Sequence, residues 1–248
     1  MKIGILGAGY IGATVARKLS AAGHHVKIAN SRGPDTIDAA ALSSGATAVD
    51  ASEAVVDVDV VILSIPLQSI PGIRRVISAV PLDTVVIDTS NYYPGRDSTI
   101  PAIESGTVES DWVQEQLGRP VVKAWNAIGS GSLASKGMPA GSSDRIAIPV
   151  AADDPTHRQV GIDLVGDTGF DGYDAGPISE SWRQQPGAPA YCTDLTMADM
   201  PAALANADAS RSPKRRDIAV AAFAERYDSP TTNPSADYGV NLSRILFM

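Results

Sequence analysis

The first thirty-three residues, MKIGILGAGYIGATVARKLSAAGHHVKIANSRG, constrain the fold more than any other stretch. Met1 to Leu6 is an apolar run that predicts a buried strand. It is followed by Gly7-x-Gly9-x-x-Gly12, and then by Ala13, Val15, Ala16 and Leu19 at helical spacing. A second apolar run, His25 to Ala29, predicts the next strand. Strand, glycine turn, helix and strand in this order form the context in which the glycine pattern predicts a dinucleotide site. Gly7 permits a tight exit from the strand, Gly9 carries no Cβ to obstruct a pyrophosphate, and Gly12 lets the helix lie close to the strand. The helix start, near Tyr10 and Ile11, turns free N–H groups and the positive end of the helix dipole toward an anion.

The second strand ends in Asn30-Ser31-Arg32. A site for the unphosphorylated coenzyme places an acidic residue about 20 positions beyond the glycines, to accept hydrogen bonds from the ribose 2′-hydroxyl. Here Asn30 carries no charge, Ser31 offers a hydroxyl, and Arg32 can form charge-assisted bonds to a 2′-phosphate and lay its guanidinium on adenine. The segment therefore predicts NADP(H), with Asn30, Ser31 and Arg32 joining the glycines as cofactor-binding residues.

Further strands are predicted at Thr47 to Val49, Asp59 to Ser64, Thr84 to Asp88, Pro120 to Ala124, Arg145 to Ala151 and Gly172 to Asp174. Helices are predicted at Asp35 to Ser44, Ala51 to Val56, Ile70 to Ala79, Ser110 to Leu117 and Asp154 to Thr168. Strands alternating with helices predict an α/β fold, a doubly wound Rossmann-type and mainly parallel sheet, with ligands outside the strand carboxyl ends. Gly129 to Ser143 reads as a Gly/Ser-rich connection. Residues 1–176 form the predicted NADP-binding domain, and 177–248 a C-terminal helical and loop extension serving as a substrate cap or dimer contact. Within the extension, Trp182 to Tyr191 reads as loop, Leu195 to Ala209 and Pro213 to Tyr227 as helix, and Asp228 to Asp237 as linker. The apolar end, Val240 to Met248, is expected to dock on the sheet or on a second subunit, with packing on its own subunit as the alternative, and a homodimer is the expected assembly.

Twenty basic residues against 28 acidic ones leave a formal charge of −8, which argues against nucleic acid or an anionic membrane as the main partner. Cys192 is the single cysteine, so no intrachain disulfide or zinc cluster can be written, and it reads as a small buried filler. His24, His25 and His157 follow no ligand spacing. With no leader or long apolar run apparent, a cytoplasmic location is expected.

Taken together, GILGAGYIG, ANSRGP, VVILSIP, VIDTSN and VVKAWN, in this order over roughly residues 1–175, resemble the deazaflavin (coenzyme F420)-dependent NADP reductases and their dinucleotide-binding relatives. The resemblance implies pyrophosphate contacts at Gly7, Gly9, Tyr10, Ile11 and Gly12, 2′-phosphate contacts at Ser31 and Arg32, and Ser64, Ile65 and Pro66 along the ribose and nicotinamide. It also implies hydride exchange between NADP(H) and a small-molecule acceptor, F420 or a flavin. Asp35 and Thr36 stand where several members place another basic residue, which concentrates phosphate recognition on Arg32. Hydride transfer between two rings depends mainly on alignment, whereas a carbonyl or imine acceptor also needs a proton donor. Reduction of a small carbonyl or imine, and non-catalytic NADP sensing, are the alternative functions.

Asn91, Trp125 and Asn126 follow strand ends and are the pocket candidates, with Trp125 either stacking on a ring or filling the core. Tyr92, Tyr93, Trp182 and Tyr191 are further candidate lining residues. Lys123 and Lys136 are candidate catalytic lysines; the simpler roles are a phosphate or backbone contact for Lys123 and a solvated side chain for Lys136. Replacing Arg32 with alanine should weaken NADPH binding about tenfold or more and leave NADH nearly unchanged, because each charged hydrogen bond contributes roughly 1.5–3 kcal/mol. Equal losses for the two coenzymes in a binding titration would refute the 2′-phosphate assignment.

Overall fold

In a computed structural model that describes residues 1–226 and 235–248, the first apolar run forms β1 (Lys2–Leu6) at the middle of a six-stranded parallel sheet. The glycine turn leads into α1 (Tyr10–Ala21), which returns the chain to β2 (His25–Ala29). β3 (Thr47–Ala48), β4 (Val60–Leu63), β5 (Val85–Asp88) and β6 (Val122–Lys123) complete the order β3-β2-β1-β4-β5-β6. Ile3 pairs in register with Val26 on one side and Val60 on the other, so the strand order reverses about β1. The crevice outside β1 and β4 is where such sheets bind ligands.

Both faces of the sheet are covered, which explains its nearly uninterrupted apolar strands. Alternate residues along each strand enter different cores. Ile3, Ile5, Ile62 and Ile87 pack with Val15 and Leu19 of α1 and with Trp125 and Phe170. Leu6, Val61, Leu63 and Val86 pack instead with Leu67, Ile70, Trp112 and Val113, the last two from α2 (Glu109–Leu117). The glycine turn depends on close approach: a Cβ on Gly12 would lie 2.0 Å from the Gly7 carbonyl oxygen. Gly7 itself has φ +111°, and its own Cβ would lie 2.1 Å from the Ser64 carbonyl oxygen.

Several elements differ from the sequence expectation for identifiable reasons. The expected helix over 35–44 is broken: Ile37 is extended, and the Asp38 carboxylate accepts the Ala40 N–H at 2.8 Å, starting a separate turn at Ala39–Leu42. Pro71 cannot donate within the stretch expected as helix from Ile70, so Leu67–Ile73 is a 3-10 coil and only Arg74–Ile77 is α-helical. Gly129 to Ser143 is not all loop, since α3 (Ser130–Ser135) opens it.

The last two strands, β7 (Ala147–Val150) and β8 (Asp171–Asp174), form their own parallel pair around α4 (Pro155–Asp167) instead of extending the main sheet. Lys123 and Ala151 exchange backbone hydrogen bonds of 2.8 and 3.0 Å as an isolated antiparallel bridge, and Pro149 lacks the N–H to continue a ladder there.

In the extension, Ile178–Gln184 is a 3-10 coil within and ahead of the expected loop, and the two expected helices form as α5 (Met200–Ala205) and α6 (Ser212–Arg226). The expected linker falls mostly on residues 227–234, outside the described residues. Its end belongs to α7 (Ala236–Phe247). Of the expected packings, α7 takes the one on its own subunit: it lies on α6 and α3, not on the sheet. Val240, Ser243 and Phe247 recur on one helical face and are buried, with the Phe247 ring centroid 6.5 Å from that of Tyr191. No described helix is long and apolar enough to cross a membrane.

Gly12→Ala should destabilise the fold by about 3 kcal/mol or more, because the new methyl meets backbone that cannot yield easily. Chemical denaturation gives the value, and an unchanged midpoint would contradict the packing described.

Candidate functional site

Two compartments join along the carboxyl ends of the strands. The first, about 400 Å³ and open to solvent, lies between the glycine turn, the end of β2 and the segment after β4. Its walls include Gly7, Gly9, Asn30, Ser31, Arg32 and Ser64 to Pro66. The second, about 350 Å³, continues past the ends of β5 and β6 and is lined by Tyr10, Ile11, Asn91, Trp125, Asn126, Ser130 and Tyr191 among others. Gly9, Ser64, Ile65 and Pro66 belong to both, so the two form one crevice. Gly12 packs behind the turn against Gly7 and Ser64, the close approach expected of it.

The residues of this crevice fit a dinucleotide. Gly9 is the N-cap of α1 and offers no side chain to cap it, and a Cβ there would meet nothing within 4 Å in the chain itself. Its lack of a side chain therefore has no packing cause, in contrast to Gly7 and Gly12, and leaves space in front of the N–H groups of the helix start. Asn30 organises the neighbouring loop: its Oδ1 accepts the Arg32 N–H at 2.9 Å, and its Nδ2 donates to Thr36 Oγ1 at 2.9 Å. Ser31 and Arg32 remain exposed at the mouth.

At the other end, Asn91 Nδ2 donates to the Asn126 carbonyl at 2.9 Å, and Asn126 Nδ2 donates to Asn91 Oδ1 at 3.1 Å. Gln184, from the extension, locks the pair by donating from Nε2 to Asn126 Oδ1 at 2.8 Å. Trp125 is no stacking platform. Its ring is buried in the core with Nε1 donating to Thr168 Oγ1 at 3.2 Å, and its backbone, at φ +54°, makes the turn after β6.

The hydroxyls of Tyr93 and Tyr191 lie 2.6 Å apart where the crevice meets another cavity of about 200 Å³. Phe223 of α6, Val240 and Phe247 of α7, and Arg216 form the far side of that cavity. Burial raises the pKa of both phenols, and pushes the Cys192 thiol up to about 12, so all three stay protonated near neutrality. Among the described residues, the lining of this cavity and of the second compartment contains no His, Asp, Glu or Lys.

Tyr92 and Trp182 do not line the crevice; they face a separate cavity with Glu104, Glu109 and Arg216. Lys123 contacts no outer pocket. Fully buried, its Nζ donates to Asp88 Oδ2 at 2.6 Å and to the Ser90 carbonyl at 2.5 Å, so the backbone contact forms and the phosphate role is closed. Lys136 is not a solvated lysine: it pairs with Asp194 at 3.2 Å and with Asp237 at 2.7 Å, fastening the start of α7 to α3.

Three charged residues near the site escaped the sequence reading. Arg96 lines the second compartment and donates to the Asn91 carbonyl at 2.6 Å. Arg216 and Glu109 sit in helices whose patterns resemble ordinary surface helices. Yet Glu109 is buried and accepts the Tyr92 N–H at 3.0 Å. Burial raises its carboxyl to about 7, against the opposing pull of Lys123, the Tyr92 N–H and Arg216.

Known proteins resemble this chain. The family described as NADP oxidoreductase, coenzyme F420-dependent, matches residues 2–92. YjhV of Escherichia coli strain K12 is 43% identical over 94 residues, 38% of this chain and 69% of YjhV. Among solved structures, hypothetical protein SMa0349 of Sinorhizobium meliloti superposes with a TM-score of 0.66 at 27% identity, over 79% of this chain and 95% of its own. A candidate F420-dependent NADP reductase of Arthrobacter sp. FB24 superposes with a TM-score of 0.57 at 20% identity, over 73% of this chain and 87% of its own, a likeness of fold.

The Glu109 carboxyl has a testable signature. Its pKa is higher folded than unfolded, so the stability it confers is complete below about 4.5 and lost as pH rises through about 7, a difference of about 3 kcal/mol. Glu109→Gln, which keeps an acceptor for the Tyr92 N–H, should remove this slope from denaturation measured between pH 4 and 8. Parallel pH profiles for the two proteins would contradict the assignment.

Proposed function

From its membership in the coenzyme F420-dependent NADP oxidoreductases, a family of NAD(P)-dependent enzymes to which this chain belongs, we propose that it binds NADP(H) along the crevice and exchanges hydride with a deazaflavin or flavin ring seated in the adjoining cavity. The observation that carries this reading is the continuity of the crevice from Arg32 through Gly9 and Ser64 to Asn126, with the aromatic cavity opening at its far end. The bound coenzyme supplies the hydride.

The chain's own residues bind and orient. Ser31 and Arg32 take the 2′-phosphate, and the N–H groups ahead of α1 take the pyrophosphate over Gly9. Ser64, Ile65 and Pro66 carry the chain of contacts toward the nicotinamide. Held by Gln184, the Asn91–Asn126 pair presents a rigid polar edge there. Such alignment contributes several kcal/mol to a ring-to-ring transfer, in which the protein need not bond to either reactant.

The protonation pattern favours a ring acceptor over a carbonyl or imine. The latter needs a proton donor of matched pKa. The tyrosine hydroxyls and the Cys192 thiol hold their protons too tightly for that role, and no His, Asp, Glu or Lys lines the aromatic cavity or the second compartment among the described residues.

Oxidised F420, FMN and a panel of small ketones and imines, each mixed with NADPH and followed by the loss of nicotinamide absorbance, should yield turnover with one of the two ring compounds. Turnover with a ketone or imine alone would replace this acceptor assignment. Tight NADPH binding without turnover in any mixture would favour a coenzyme sensor.

A further inference from the structure

Arg216 stands in the wall shared by two cavities, the aromatic one beside the crevice and the one lined by Tyr92, Glu104 and Glu109. It is 7% exposed. Its Nε donates to Asp217 Oδ1 at 2.8 Å, and its guanidinium carbon lies 5.3 Å from the Tyr92 ring centroid. Among the described residues, Nη1 and Nη2 donate to nothing. A guanidinium keeps its charge at any working pH, and Nη1 and Nη2 reach the cavity solvent, open to an acceptor on an incoming group. Asp217 leaves them free, because it pairs with Nε and its own side chain is 61% exposed.

The two cavities differ in what they offer an incoming group. On the Tyr92 side, Glu104 and Glu109 would repel an anion. On the crevice side, Arg216 is the one formally charged residue of the described lining, set among Tyr93, Tyr191, Phe223 and Phe247. A fixed cation with two free donors in an aromatic enclosure matches a flat apolar molecule bearing a carboxylate, which a guanidinium holds through parallel hydrogen bonds.

We propose that the aromatic cavity selects an organic acid, its ring between the tyrosines and phenylalanines and its carboxylate on Nη1 and Nη2 of Arg216. This deepens the acceptor reading above and rests on it for the identification of the cavity as the acceptor's.

Calorimetric titration of the full chain, saturated with NADP to occupy the coenzyme site, with 2-naphthoate and neutral 2-naphthamide tests the proposal. The acid should bind about tenfold or more tightly than the amide, the range of one charge-assisted pair. Arg216→Met should abolish that preference, and Arg216→Lys should restore part of it. Equal binding of acid and amide to the native chain would overturn the proposal without any variant, as would a preference that survives in Arg216→Met. The outcomes separate from those of the hydride reading: a carboxylate preference with no turnover in the acceptor panel leaves the anion site standing, and turnover without the preference leaves the hydride reading standing.

Discussion

Gly12 passes so near the Gly7 carbonyl oxygen that a single methyl would lie 2.0 Å from it, and the Ser64 side chain closes the same contact from the β4 side. This approach sets how near α1 lies to β1. It also brings the helix start to the point where strand order reverses, between β1 and β4. Position and polarity are thus fixed together: the unpaired N–H groups of a helix end face the one gap that a doubly wound sheet leaves open. Gly9 completes the arrangement with space that nothing in the chain fills.

The far end of the crevice is held by a different force. Lys123 and Asp88 are wholly buried 2.6 Å apart, and the second bond of Lys123, to the Ser90 carbonyl, ties the ends of β5 and β6 into one unit. A buried ion pair of this kind adds little net stability because desolvation offsets the attraction, but removing either partner strands a charge in the core. Its consequence lies in geometry: Ser90-Asn91 and Trp125-Asn126 leave their strands with fixed directions, and the Asn91–Asn126 hydrogen bonds follow. The extension then acts on the same residues, since Gln184 holds Asn126 and Tyr191 meets Tyr93.

What could be read from the sequence follows from how local its cause is. The glycine turn, Asn30-Ser31-Arg32 and the apolar strands express interactions within a few residues, and the parallel sheet follows from them. Lys123 was ambiguous because its partner is 35 positions away, and no spacing rule connects them. Glu109 and Arg216 look like surface residues of amphipathic helices until α2 and α6 pack, and their burial comes wholly from tertiary contacts. The separate β7–β8 pair was hidden for a related reason: a proline within a short strand and a single antiparallel bridge decide it. The aromatic cavity, assembled from α3, α6, α7 and the Tyr93 and Tyr191 segments, has no counterpart in any short motif.

The claim that the crevice exists to hold a dinucleotide is tested most directly at Gly9, where fold and ligand make separate demands. Calorimetric titration of the native chain and of Gly9→Ala with NADPH, alongside their melting temperatures, distinguishes the two. The account predicts that both proteins melt alike and that the alanine variant binds NADPH about tenfold or more weakly, since its methyl occupies only the ligand's space. Equal NADPH affinity in the two proteins, or no binding by the native chain, would contradict it.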